Sequence, residues 1–258
     1  MSGAGALLAG IDPATFLMLM AVCFVAAALS GLSGFGAGLI ITVFITPIIG
    51  AAAVIPVLSV LMLFTNLSRV WFFRGALDRR LLGLLAAGAM PGAALGALVY
   101  VRLEATTIEV LLGLVLVLSI PLRRWLKGRA LAPGGSSLLA FGGVFGFLSS
   151  VVVGAGVLVI PILLGAGLAG PALLVTDAAL AVLVNLVKIA MFGRLEALTL
   201  PLFAASLAMG LCTVPGTWAG AWIVRRTSLR LHTVLMELLV VGYGASLLWR
   251  AARPALAG

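Results

Sequence analysis

Four polar side chains set in apolar surroundings carry the chemistry open to this sequence. Asn66 and Arg69 stand three residues apart near the end of one long apolar run, and Asn185 and Lys188 repeat the spacing near the end of another. Three residues turn a helix by about 300°, so each amide and its cation lie on adjoining faces one turn apart. An amide NH2 group can donate to an anion, and a cation offsets the cost of holding that anion in hydrocarbon. Arg69 and Lys188 also precede Arg74 and Arg194 by only a few residues. Long side chains so placed can reach the membrane interface, so the asparagines carry more of this expectation than the cations.

Asp177 is the third kind of group. It precedes Lys188 by eleven residues, about 20° off three full helical turns, so the two share a face but are too far apart to pair. It reads as an interfacial carboxylate, a proton-coupling group, or the partner of a cation on another helix. Cys23 and Cys212 lie in separate apolar runs without metal-ligand spacing and read as small buried hydrophobes. No catalytic residue, metal or cofactor is expected from this set.

The elements that position these groups follow from composition. Of 258 residues, 64% are hydrophobic and only 9% charged, whereas a soluble domain carries roughly 25% charged residues. The fold class is therefore an all-α integral membrane protein, a polytopic helical bundle in contact with the lipid bilayer. The formal charge of +9 forms no basic arm; the cations fall mostly between apolar runs, as topology determinants do, so no nucleic-acid partner is expected. No cationic segment precedes the first apolar run, which is expected to be structural rather than a cleaved leader.

Residues 51–73, 81–101, 106–122, 171–192, 199–224 and 228–249 each suit one crossing of about 20 residues. The stretches 14–50 and 136–170 are too long for one crossing and too short of polar residues to leave the membrane. Each must break or fold back, and the glycines mark where: Gly31, Gly34, Gly36 and Gly38 before Pro47, and Gly146, Gly154 and Gly156 before Pro161. About eight membrane segments result, with glycine-broken or re-entrant helices opening each half.

The halves are homologous. Pro91 and Pro215 differ by 124, as do Gly92 and Gly216, Gly96 and Gly220, Arg102 and Arg226, and Trp125 and Trp249, while Asn66 and Asn185 differ by 119. We read 1–122 as a first membrane repeat, 123–135 as a cytoplasmic basic linker and 136–258 as a second repeat. Counting Lys and Arg on each side cannot orient the second half, because inverted and parallel arrangements both place ten cations inside and four outside. The length of the broken stretches favours inversion.

Helix N-termini carry about half a positive charge and free N–H groups. Two glycine breaks meeting near the midplane would make an anion-binding cavity, with Gly34, Gly36, Gly38, Gly154 and Gly156 supplying backbone and Asn66, Arg69, Asn185 and Lys188 supplying side chains.

The segment Ser30-Gly31-Leu32-Ser33-Gly34-Phe35-Gly36-Ala37-Gly38 with Pro47, and Gly146-Phe147-Leu148-Ser149-Ser150 running to Gly154-Ala155-Gly156 and Pro161, resemble the paired glycine-rich signatures of the sulfite exporter TauE/SafE family of bacterial membrane permeases. Val151-Val152-Val153 stands where the family usually has a further glycine. The resemblance implies a multi-pass bacterial inner-membrane permease for a small sulfur-containing anion such as sulfite, thiosulfate or an organosulfonate. It would work by alternating access at the interface of two repeats. Proton or ion coupling, with Asp177 as the coupling carboxylate, and a homo-oligomeric state are compatible with it. A competing reading takes Gly31-Leu32-Ser33-Gly34 as the nucleophile motif of a rhomboid-type intramembrane protease with His232 as base; an ion channel or an insertase-like structural protein is a further one.

Overall fold

The structure, a computed structural model, describes residues 11–30, 37–126, 134–223 and 229–256. Among them are ten α-helices and no strand. They are α1 (Pro13–Ser30), α2 (Ala37–Ile49), α3 (Ala51–Phe73), α4 (Arg79–Tyr100), α5 (Ala105–Leu126), α6 (Gly135–Val151), α7 (Val159–Gly165), α8 (Gly170–Arg194), α9 (Leu200–Ile223) and α10 (Leu229–Leu256). Short 3-10 turns at Arg74–Ala76 and Ala155–Leu158 follow α3 and precede α7. Five helices among the described residues are long and apolar enough to cross a bilayer, starting at Ala51, Arg79, Ala105, Gly170 and Leu200. The outer face is apolar as well: Leu17, Leu95, Leu118, Val144 and Leu211 are exposed, an arrangement suited to lipid rather than water.

Both anomalous stretches break where glycine permits. In the first, α2 begins at Ala37 and runs back alongside α3, since Gly38 faces the Met62 sulfur while Ile49 is separated from the start of α3 by Gly50 alone. Gly50 makes that reversal with φ of 80°, a conformation only glycine adopts freely. In the second, α6 ends at Val151, and Gly154, with φ of 84°, turns the chain into the 3-10 segment and α7.

The two sequence halves are interlocked rather than side by side. The four most extensive helix contacts are α4 with α6, α1 with α9, α3 with α8, and α5 with α10, and each of these pairs joins an element from before the linker to one from after it. Small residues allow the closest of them. A methyl on Gly88, Gly92 or Gly96 of α4 would overlap the backbone of α6 at Leu139, Gly143 or Phe147, and one on Gly142 or Gly146 would overlap Leu85 or Ala89. Glycines four apart on both helices let the backbones approach to this degree. Ser150 then donates to the Ala93 carbonyl at 2.9 Å.

Contact order gives the helix directions. Along α3 and α9, Phe64 meets Gly210, Thr65 bonds Thr213 and Phe72 packs edge-on to Trp218, so the two helices run parallel. Short turns join α3 to α4 and α8 to α9, which reverses direction each time. Consequently α4 and α9, matched by the 124-residue offset, point opposite ways, and so do α3 and α8. The repeats are inverted in direction, which the charge count left open.

Candidate functional site

A cavity of about 160 Å³ lies between α3 and α8, closed on further sides by the start of α2, the end of α6 and the 154–156 turn. Gly38, Asn66, Arg69, Gly154, Gly156, Asp177, Asn185 and Lys188 all line it. Gly34 and Gly36 lie outside the described residues, as do Ser33 and the side chain of His232. The apolar part of the wall includes Leu58, Met62, Phe145 and Val153.

The two breaks meet at this cavity. A methyl on Gly38 would stand 3.9 Å from Val153, and one on Gly154 would stand 3.2 Å from Leu39. The amides that open a helix have no partner within it, and here the residues opening α2 and the 3-10 turn border the cavity. Val157 closes the turn by donating to the Gly154 carbonyl at 3.2 Å.

The cations do not reach for the interface. Arg69 is 7% exposed and Lys188 6%, beside Asn66 at 8% and Asn185 at 6%, so the positions read as candidates for snorkelling are instead the charged side chains that are buried among the described residues. Arg69 donates to Asn66 Oδ1 at 3.3 Å, which uses the amide oxygen and leaves the Asn66 NH2 group as the free donor. Arg69 Nε is buried without a partner. Because α3 and α8 run in opposite directions, the pairs Asn66/Arg69 and Asn185/Lys188 approach the cavity from opposite ends.

Asp177 is half-buried and lines the same space. It stands within electrostatic reach of Arg69 on the neighbouring helix, the third of its sequence readings. Its neighbour Thr176 accepts from the Asp78 amide at 3.3 Å, while Asp78 itself caps α4 by accepting from Leu81 N at 2.9 Å. The first of these bonds ties α8 to the start of α4. By the 119-residue offset Asp177 corresponds to Leu58, also a cavity residue, so the carboxylate has no symmetry mate.

A glycine-broken pair of inverted halves enclosing buried cations is the geometry of a membrane permease, and the family comparison agrees: the sulfite exporter TauE/SafE model matches residues 19–247. The chain belongs to the sulfite exporter TauE/SafE family. It is a multi-pass membrane protein of a transporter family. Neither the curated proteins nor the solved structures searched gave a match. Within this TauE/SafE member the sequence did not single out Ser149 or Met62, which also line the cavity. Ser149 belongs to the second glycine-rich signature, where its position was legible; Met62 sits four residues before Asn66 on the same helical face and could have been found by that spacing.

Proposed function

We propose that this TauE/SafE protein is a secondary transporter of the bacterial inner membrane for a small sulfur-containing anion: sulfite, thiosulfate or an organosulfonate. The observation that carries the reading is the enclosure of Arg69 and Lys188, each more than nine-tenths buried, in one cavity with the free amide donors of Asn66 and Asn185. Two buried cations without a compensating set of carboxylates are costly. An oxyanion accepting hydrogen bonds from both ends of the cavity removes that cost.

The anion bridges α3 and α8 through their side chains and meets backbone amides of both helix breaks. Alternating access follows if α3 and α8, related by inversion, exchange which end of the cavity is open to solvent. Energy comes from an ion gradient or from the gradient of the anion itself.

Counterflow of labelled sulfite, thiosulfate and organosulfonates into proteoliposomes tests the reading. Saturable exchange of at least one of them is expected. Exchange of a cation or a neutral solute, with none of these anions moving, would overturn it.

A further inference from the structure

The charges lining the cavity do not balance. Among the described lining residues Arg69 and Lys188 are the cations and Asp177 is the carboxylate, which leaves one positive charge over. The imbalance has a location: Asp177 lines the cavity within electrostatic reach of Arg69 on the neighbouring helix, whereas Lys188, toward the other end, has Leu58 where symmetry would put a carboxylate. Resting on the anion-transport reading above and narrowing its candidates to hydrogensulfite and monosulfonates, with thiosulfate, a dianion at neutral pH, left out, we propose that Asp177 sets the charge specificity of the site, so that it accepts anions bearing a single negative charge and rejects dianions.

The physical reason is the medium. In a cavity walled by Leu58, Met62, Phe145 and Val153, charges are weakly screened and net charge dominates which ion can be held. A monoanion brings the site to neutrality. A dianion leaves one negative charge uncompensated and sets it against Asp177, and like charges juxtaposed in a binding site are the usual means of refusing a ligand. The organisation of the polar groups agrees with this division of labour. Arg69 is already held by Asn66 at 3.3 Å and stands within electrostatic reach of Asp177, while Lys188 and Asn185 are free to donate to the anion.

Binding to the purified protein in detergent, read by thermal stabilisation, tests this with probes of fixed charge: methanesulfonate as monoanion, and sulfate and 1,2-ethanedisulfonate as dianions. Methanesulfonate is expected to bind the wild type more tightly than either dianion by at least ~10-fold, a floor that lies below the cost of like-charge juxtaposition. Asp177→Asn reverses or abolishes the preference, and Asp177→Glu returns it. Should Asp177→Asn leave Arg69 uncompensated and the protein unfolded, the double variant Arg69→Gln/Asp177→Asn keeps one positive charge and keeps the monoanion preference. Equal binding of monoanion and dianions by the wild type, an unchanged ratio in Asp177→Asn, or gain of dianion binding by the double variant would sink the proposal. If none of the three probes binds the wild type while a cation or neutral solute does, the anion reading itself has failed instead.

Discussion

Leu39 covers Gly154: the side chain from the opening turn of one broken helix sits 3.2 Å from where a methyl on the other break would stand. The two residues are 115 positions apart in the chain and belong to different halves, yet they form one wall of the polar cavity. Gly154 is constrained twice there, by that contact and by a φ of 84°.

Gly154→Ala should therefore act through backbone strain first. A left-handed conformation costs an L-residue about 1–2 kcal/mol, and Leu39 must give way in addition. The expected result is a lower unfolding midpoint in detergent and weakened anion counterflow. Gly156, with open space around it, should accept alanine with a smaller loss of stability, and equal midpoints for the two variants would show that the left-handed turn is not constraining.

The glycines of α4 separate by environment in the same way. Gly92→Ala drives a methyl into the Gly143 carbonyl and should cost about 1–3 kcal/mol or more, as overpacking does. Gly83, on the same helix with nothing near it, should tolerate alanine or gain up to ~1 kcal/mol from helix propensity. Thermal unfolding of the pair checks the assigned α4–α6 contact.

Removing either cavity cation should lower transport without unfolding the protein. Arg69→Gln and Lys188→Gln are each expected to reduce counterflow by about 10- to 100-fold, corresponding to the ~1.5–3 kcal/mol of a charge-assisted hydrogen bond. Retention of full counterflow in both folded variants would mean that the cations lie off the substrate path.

Thr65 and Thr213 tie α3 to α9 through a hydroxyl pair at 3.1 Å. Thr65→Val, Thr213→Val and the double variant should give a coupling energy of about 0.6 kcal/mol, the average for such bonds in a membrane bundle. A coupling indistinguishable from zero would remove the bond from the set of contacts that hold the two helices together.

The fold class was legible in the sequence because solvent dictates composition, and the two breaks were legible because a run such as 136–170 is too long to cross once. Helix direction was legible only indirectly, through the length of those runs, which favoured the inversion found. It is decided by which residues meet, such as Phe72 with Trp218, and cation counting is blind to those pairings. At the cavity the Asn-x-x-cation spacing pointed to the residues gathered there, but their burial was hidden. Arg69 and Lys188 sit near sequence ends of apolar runs that suggest an interface, and only the crossing of α3 with α8 encloses them. Asp177 could be narrowed to three readings because its partner comes from another helix, and no periodicity along α8 reveals it. The PGxxxG landmarks served as markers of duplication, whereas in α4 Gly92 and Gly96 are contact surfaces against α6.

The pairing of α1 with α9 sets an order of assembly during synthesis. The first described helix leaves the ribosome long before its main partner exists: from Pro13 to Leu200 takes about 10–40 s at ~5–20 residues per second. Until then α1 lies in the bilayer with its interface, including Phe24 and Ala27 that meet Gly216, open to lipid or to another chain. Completion of α9 ends that exposure, after α6 and α8 have been made as partners for α4 and α3, so the halves interlock pair by pair as the second is made rather than docking as two finished units.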